Sequence, residues 1–322
     1  MRESILRNLA SIVLAFAWLT GCMSAPGVAE GPWTRGAPMP TTRSEIAVTQ
    51  LDGRIYVAGG IGRLGTSNAF EVYDTSTNTW RRLAPLPEAA HHLAMTAASG
   101  RIYVSGGYGN MLFRPDRKSA WVYEHKTDVW QPIADMPGMR AAHKMVTLEG
   151  KIYAVGGVGS DPTALWVYDP ETDRWDTSRA PLPTAREHLS AVAAARKLYV
   201  IAGRWRGRGN LIVVEAYDPA TDQRTSMADL PAPRGGHTAA TIGERIHVTG
   251  GEDRASGDTF SDHWAYDHAT DRWTTEPPMP TARHGLDSAA HGQRWYVVGG
   301  GTGAGARTFF TLTNLIEVYV VQ

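Results

Sequence analysis

The chain has 322 residues, of which 32 are basic and 32 are acidic, so its formal net charge is zero, and it contains one cysteine. A balanced charge gives no global reason to expect a nucleic-acid partner. The single cysteine, Cys22, leaves the rest of the chain without an internal disulfide, a cysteine-ligated metal or a cysteine nucleophile.

The first residues have the composition of an export signal. Arg2 and Arg7 form a basic start, and residues 12–19 form an apolar stretch that is too short to span a membrane. The motif Leu-Thr-Gly-Cys follows and resembles a bacterial lipobox, in which the cysteine becomes the lipid-modified first residue of the mature protein. We therefore expect residues 1–21 to be a lipoprotein signal peptide and Cys22 to be the lipidation site.

The next segment, residues 22–32, is expected to be a tether between the lipid and the folded part. The residue after the cysteine is Met23, not aspartate. An aspartate at this position would oppose sorting to the outer membrane, so Met23 favours that sorting in a Gram-negative host. The expected location is therefore the cell envelope, in the outer membrane facing the periplasm, with the lipid anchor as the only membrane contact. A secreted protein that is cleaved slightly further along the chain is the alternative.

From residue 33 onward the chain is built from a sixfold repeat. An apolar strand ends in a glycine pair, a tyrosine follows, and a tryptophan comes seven residues after the tyrosine. The spacing of 46 to 50 residues indicates a supersecondary unit that must stack on its neighbours to bury its faces. The pairs are Gly59-Gly60, Gly106-Gly107, Gly156-Gly157, Ala202-Gly203 (a degenerate copy), Gly250-Gly251 and Gly299-Gly300.

Each unit contains the signals for four short strands. Residues 54–58 have the β-branched and aromatic composition of a strand, and residues 71–74 alternate in the way that a further strand requires. A polar turn such as 169–173 leads to the last strand, which carries the tryptophan. The glycines allow close backbone approach, and the aromatic residues fill the space between neighbouring sheets.

This pattern resembles the kelch family of β-propellers, over nearly all of the chain from Trp33 to Val321. The resemblance implies an all-β fold, a six-bladed kelch-type β-propeller that spans residues 33–322 as a single domain. Arg224 stands where the fourth repeat should have its tryptophan, so that blade should bury less apolar area. The matching tyrosines are Tyr73, Tyr123, Tyr168, Tyr217, Tyr266 and Tyr319.

The two ends of the repeat region complement each other. The sixth unit stops after Tyr319 and lacks its fourth strand, whereas residues 33–40 have the spacing from tryptophan to proline that follows Trp273 in the fifth unit. We therefore predict that the N-terminal strand completes the last blade. This pairing closes the ring and removes an exposed sheet edge.

Strand parity places two sets of loops on one rim of the propeller. In a four-stranded antiparallel blade, the loop after the glycine pair and the link between blades leave on the same side, and binding residues concentrate on such loops. The family resemblance implies the same rim as the ligand site. Five links carry an arginine three residues after a proline, which indicates bonding to the backbone: Arg43, Arg140, Arg186, Arg234 and Arg283.

Five of the six links carry a histidine shortly after this position, at unequal distances from the proline, and the first link carries a glutamate. The residues are Glu45, His92, His143, His188, His237 and His284. Histidines in propellers usually bond a neighbouring carbonyl group, and the unequal offsets argue against a shared ligand geometry. The expectation is therefore no metal site and no cofactor, with His92 and His188 as candidates for ligand contact.

The loops after the glycine pairs are mostly basic, whereas the fifth is acidic. Guanidinium groups bind carboxylates or phosphates through paired hydrogen bonds, and an indole offers a stacking face for a sugar ring. We therefore predict a small anionic ligand, a sugar acid or an acidic peptide. The candidate binding residues are Arg63, His92, Tyr108, His188, Arg204, Trp205, Arg206, Arg208 and Asp253.

Two functions remain open at this stage. The favoured interpretation is a monomeric, non-catalytic binding module, because no complete catalytic constellation is present. The alternative is a carbohydrate epimerase, since the chain is similar to exported bacterial sialic-acid mutarotases (N-acetylneuraminate epimerases) in export, blade number and domain content. That resemblance implies a catalytic glutamate directly after the glycine pair, which Glu252 matches, but Asp258 replaces the expected arginine and Arg254 is the nearest basic residue.

Overall fold

The computed structural model describes residues 31–114 and 116–321. These residues form six four-stranded antiparallel sheets, which confirms the all-β, six-bladed propeller. The predicted signal peptide, Cys22 and most of the tether lie outside the described residues. Within the described part of the chain, no helix has the length and apolarity that crossing a bilayer requires.

Each blade contains four strands, numbered here from the propeller axis outward. Blade 1 comprises Ala47–Leu51, Arg54–Ala58, Phe70–Asp74 and Thr79–Arg82; blade 2 comprises Ala94–Ala98, Arg101–Ser105, Ala120–Glu124 and Val129–Ile133. Blade 3 comprises Lys144–Leu148, Lys151–Val155, Leu165–Asp169 and Arg174–Arg179; blade 4 comprises Ser190–Ala194, Lys197–Ile201, Val214–Asp218 and Gln223–Met227. Blade 5 comprises Gly235–Ile242, Arg245–Asp253, His263–Asp267 and Arg272–Glu276; blade 6 comprises Asp287–His291, Arg294–Val298, Ile316–Val320 and Trp33–Arg35.

Short additional elements lie in the loops that follow strand 2 and, in the case of Arg140–Ala141, in the link before blade 3. Three two-stranded pairs are Ile61–Gly62 with Gly65–Thr66, Arg140–Ala141 with Val158–Gly159, and Arg204–Trp205 with Gly209–Asn210. In blade 5 the strand Asp258–Thr259 pairs with the end of strand 2, and in blade 6 a 3-10 helix spans Gly305–Phe310. These elements give one face of the propeller its irregular surface.

The N-terminal strand closes the ring, as the sequence predicts. Trp33 and Arg35 pair with Tyr319 and Glu317 in antiparallel register, so the strand Trp33–Arg35 is the outermost strand of blade 6. The indole of Trp33 donates a 2.9 Å hydrogen bond to the carbonyl oxygen of Pro277 and packs against Tyr319 at a ring-centroid distance of 5.1 Å. The first strands of neighbouring blades contact each other around a closed circle.

An outer clamp joins each blade to the link that precedes it. In blade 2 the side chain of Asp128 accepts hydrogen bonds from the Tyr123 hydroxyl and from the backbone N–H of Ala84, while the Trp130 indole donates to the carbonyl oxygen of Ala84. Blade 4 keeps this arrangement without a tryptophan, because the guanidinium of Arg224 donates to the equivalent carbonyl oxygen. The repeated tyrosines and tryptophans are therefore scaffold residues.

The regular arginines form an inner clamp. Arg43, Arg186 and Arg283 each pair with a buried glutamate on strand 3 of their own blade, at 2.6 to 2.8 Å. Blades 3 and 5 have a tryptophan at the glutamate position instead, and there the guanidinium lies over the indole ring, at 3.5 Å in the case of Arg140 over Trp166. These side chains also donate to backbone carbonyl groups, which confirms their structural role.

Truncation tests the closure of the ring. A chain that starts at residue 41 loses Trp33, its strand and the buried Met39, so blade 6 exposes the edge of strand Ile316–Val320. We expect this chain to aggregate or to melt at a clearly lower temperature, whereas a chain that starts at Glu30 should melt like the full chain. Equal melting temperatures of the two truncated chains, measured by circular dichroism, would contradict the closure.

Substitution of the clamp arginines tests the buried ion pairs. Arg43→Met leaves the buried Glu71 with only the exposed Arg82, at 3.9 Å, as a cation and should lower the free energy of unfolding by about 3 kcal/mol. Arg140→Met is the matched control, since it leaves no buried carboxylate and should cost less. In urea unfolding experiments the double variant Arg43→Met/Glu71→Leu should recover part of the loss, and a double variant that is no better than the single one would refute this account.

Candidate functional site

The candidate site lies on the face where the links between blades meet the loops after strand 2. Bridges between the two sets of segments join Ser44 to Ile61, His91 to Tyr108 and His284 to Gly301. Equivalent pairs join Glu187 to Arg204 and Gly235 to Glu252. Both sets of loops thus share one rim, as strand parity predicts.

A closed ring of six backbone amides surrounds the axis at this face. One residue of each link has a left-handed conformation, with φ between 52° and 69°. The N–H of each donates to the carbonyl oxygen of the equivalent residue in the preceding blade, at 2.6 to 3.2 Å. The members, each five residues after the proline of its link, are Glu45, His92, Ala142, His188, Gly236 and Gly285.

The amide ring explains which of the histidines come together. His92 and His188 stand in the ring itself, together with Glu45, and their side chains converge on the axis. His143 and His237 lie one residue later in their links, where their side chains are buried. The unequal offsets from the proline therefore distinguish the histidines of the amide ring from those beside it. Glu45, His92 and His188 share the position five residues after the proline.

A cavity of about 410 Å³ opens from this ring toward the loops. Its buried lining includes titratable side chains, since Glu252, His92 and His284 retain less than a tenth of their accessible surface. The exposed part of the lining includes Arg206 and Arg254, together with Phe113 and Phe309. The cavity thus combines a charged interior with a mouth of arginine and phenylalanine.

The converging side chains are in hydrogen-bonding range of one another. The Nε2 atoms of His92 and His188 are 3.0 Å apart, and an Oε2 of Glu45 lies 3.3 Å from the first and 3.8 Å from the second. Burial, followed by the neighbouring histidines, lowers the pKa of His92 well below its usual value. At neutral pH His92 is therefore an uncharged imidazole.

A chain of ion pairs continues from this cluster around the cavity. Glu187 accepts from His188 Nδ1 at 2.7 Å and from Arg204 Nε at 2.9 Å, and Arg204 also donates to Glu252 through Nη1. The other oxygen of Glu252 accepts a 2.6 Å hydrogen bond from the N–H of Gly305 and lies 3.3 Å from His284 Nδ1. Arg204 is thus a structural cation between two carboxylates.

These contacts hold the two carboxyl groups ionised. Burial alone would raise the pKa of Glu252, but the charges of His284 and Arg204 and the Gly305 amide outweigh burial, so its pKa is lowered. Burial would also raise the pKa of Glu187, but His188 and Arg204 outweigh it and bring this pKa further below the usual range. Neither carboxyl group is tuned toward the neutral pKa that suits a general base.

The cavity brings together part of the predicted site. Its lining includes both proposed catalytic residues and five of the proposed binding residues: Glu252, Arg254, His92, Tyr108, His188, Arg204 and Arg206. Arg63, Trp205, Arg208 and Asp253 are not among the lining residues. Trp205 and Arg208 belong to the same hairpin as Arg204 and Arg206 without being part of the lining, and the Asp253 side chain accepts from the N–H of Ala255.

Three residues of the interior network were not proposed from the sequence as site residues, namely Glu45, Glu187 and His284. The number of residues between the proline of the link and each of these positions is the sequence feature that identifies them. Glu187 and His284, each four residues after the proline, border the cavity, and the positions five residues after it form the amide ring.

Comparisons with known proteins identify the repeat. The family described as the KLHDC2/KLHL20/DRC7 Kelch-repeats domain matches residues 28–157 and 142–315. The chain is 33% identical over 103 residues to Kelch repeat and BTB domain-containing protein 8 of Xenopus tropicalis, which covers 31% of this chain and 17% of that protein. It is also 33% identical over 106 residues to the human Rab9 effector protein with kelch motifs, which covers 30% of this chain and 28% of that protein.

A third similar protein is beta-scruin of Limulus polyphemus, 36% identical over 74 residues, or 23% of this chain and 8% of that protein. The matched segments span less than a third of the length of each of these relatives. The similarity therefore concerns the repeat itself.

Proposed function

The chain belongs to the kelch-repeat β-propeller family, and we propose that it is a binding module whose loop-face cavity takes an anionic ligand. The ligand chemistry is a carboxylate, presented by an acidic peptide of a partner protein or by a sugar acid. The observation that carries this proposal is the pair of exposed arginines at the mouth of a cavity in which Glu187 and Glu252 already have Arg204 as their partner.

The two arginines at the mouth of the cavity support an anionic ligand. Glu187 and Glu252 share the guanidinium of Arg204, and a histidine nitrogen lies 2.7 Å from Glu187 and another lies 3.3 Å from Glu252. Arg206 and Arg254 line the same cavity, are exposed, and form no ion pair or side-chain hydrogen bond with any residue of the described ranges. A carboxylate that reaches the mouth therefore finds two guanidinium groups with free donors.

The size and the apolar lining of the cavity suit one ligand group of modest volume. Its volume of about 410 Å³ falls within the range of small-molecule sites. Phe113 and Phe309 retain 39% of their accessible surface at the mouth, and Tyr108 is buried deeper in the lining. These rings offer faces for a sugar ring or for the aliphatic part of a peptide side chain.

Anomer exchange on a sugar acid is the second candidate function, because Glu252 and Arg254 line the same cavity. A mutarotase needs one group that removes a hydroxyl proton and another that protonates the ring oxygen. Both oxygens of Glu252 already accept hydrogen bonds, and its pKa is lowered, which makes it a weak base. Binding therefore has the stronger support.

Substitution of the mouth arginines tests the ligand charge. We expect Arg206→Ala and Arg254→Ala each to weaken binding about tenfold, because a charge-assisted hydrogen bond contributes roughly 1.5–3 kcal/mol. The probes are a glutamate-rich peptide and N-acetylneuraminate, with a neutral hexose for comparison, and binding is measured by calorimetry at low and high salt. Raised salt should weaken binding at the open mouth.

Arg272→Ala is the matched control, an exposed arginine on strand 4 of blade 5, and should leave binding unchanged. Equal affinity for the neutral hexose and for the acid would refute the charge proposal. Glu252→Gln tests the second candidate, because a mutarotase would lose most of its rate of anomer exchange, measured by NMR.

We also propose that the module acts in the cell envelope, anchored through Cys22. The support is the basic start, the short apolar stretch and the Leu-Thr-Gly-Cys motif of the sequence. In a Gram-negative host, Cys22→Ser should abolish labelling with a fatty-acid analogue and release the protein from the membrane fraction. Membrane association that survives this substitution would contradict the anchor, and unchanged thermal melting of the variant serves as the control for folding.

A further inference from the structure

We propose that Glu45, His92 and His188 form a binding site for one divalent transition-metal ion, Zn²⁺ in first place, on the propeller axis. The three residues occupy one register of the amide ring in blades 1, 2 and 4, and the equivalent residues of the other blades are Ala142, Gly236 and Gly285. The ring thus places three ligand-bearing side chains at one end of the cavity.

The hydrogen bonds around the two imidazoles determine which nitrogen carries the proton. The Nε2 atom of His91 lies 3.0 Å from the carbonyl oxygen of Asn110, so it must donate, and the Nδ1 of a neutral His91 is left as an acceptor. The Nδ1 of His92, 2.6 Å away, must then donate to it. His188 donates from Nδ1 to the carboxylate of Glu187 at 2.7 Å.

Both Nε2 atoms therefore point their lone pairs at the axis when the imidazoles are neutral. These atoms are 3.0 Å apart, and the carboxylate oxygen of Glu45 lies 3.3 and 3.8 Å from them. Three acceptors that converge without a donor repel one another, and a cation between them removes the repulsion. Metal–ligand bonds of about 2.0–2.2 Å in a tetrahedral site separate the ligand atoms by roughly 3.3 Å, close to the separations found here.

The surroundings match those of a metal centre. The three side chains retain only 4%, 7% and 12% of their accessible surface for His92, His188 and Glu45. The contact between Glu187 and His188 is the carboxylate–histidine pair that orients metal-bound imidazoles, and His91 orients His92 in an equivalent way. Two imidazoles and one carboxylate are typical of a zinc site with an open fourth position.

All three residues are part of the cavity lining, so an ion that they hold borders the cavity. The open fourth position would take a water molecule or an oxygen atom of a bound ligand, and the metal ion would add to the positive charge of Arg206 and Arg254. The metal site stands independently of the proposed anionic ligand, since Glu45 and the two histidines bind the ion without it. Metal binding is therefore measured in the absence of any such ligand.

The experiment uses the folded chain after treatment with EDTA and dialysis. We expect it to take up one Zn²⁺ per chain, by elemental analysis and competition with a chelating dye, and to show higher thermal stability with Zn²⁺ than without. Added Co²⁺ should give the visible absorption of a four-coordinate ion with nitrogen and oxygen ligands. His92→Ala and His188→Ala should weaken Zn²⁺ binding at least 100-fold, and Glu187→Gln should weaken it about 10- to 100-fold.

The control is His291→Ala, which removes an exposed histidine on strand 1 of blade 6 and should leave Zn²⁺ binding unchanged. The uptake and the Co²⁺ spectrum are measured on the unsubstituted chain, so the proposal remains falsifiable even where a variant fails to fold. No stoichiometric uptake, or uptake that persists in folded His92→Ala and His188→Ala, would overturn it. If no Zn²⁺ is taken up, the cluster is held together instead by a proton on His188 that is shared with His92.

Discussion

Every pair of neighbouring blades is joined by a hydrogen bond that the rest of the architecture depends on. The N–H of the second glycine in each pair donates to the carbonyl oxygen at the arginine position of the next blade, at 2.8 to 3.0 Å, and this bond occurs six times around the ring. In blade 2 this glycine is Gly107, with φ of 95°, and a Cβ there would lie 2.8 Å from the carbonyl oxygen of His91. Only glycine combines this conformation with this close approach.

The same link carries the structural clamp and the site side by side. Three residues after the proline, the arginine places its guanidinium in its own blade and its carbonyl group against the preceding blade. One and two residues later come the positions that border the cavity and form the amide ring. The positions four and five residues after the proline take part in the scaffold through their backbone atoms. Their side chains are therefore free to vary between blades.

This separation explains how one regular scaffold produces one irregular site. Only Glu45, His92 and His188 among the six members of the amide ring have side chains that can bind a ligand or a metal ion. The loop after strand 2 adds partners for some of the link residues, as Arg204 does for Glu187. Arg204 is already paired with Glu187 and Glu252. Among the described residues, the unpaired positive charge of the cavity therefore lies on Arg206 and Arg254 at the mouth.

The sequence by itself determined the fold, the number of blades, the closure by Trp33 and the face that carries the site. Each of these depends on residues that recur in every repeat and act within their own blade or on the next one. The convergence of Glu45, His92 and His188 depended on the tertiary structure, because His92 and His188 are 96 residues apart and meet only when six blades close around an axis. The role of Arg204 was also decided there, since a pattern of basic residues does not show which cation already has a buried carboxylate beside it.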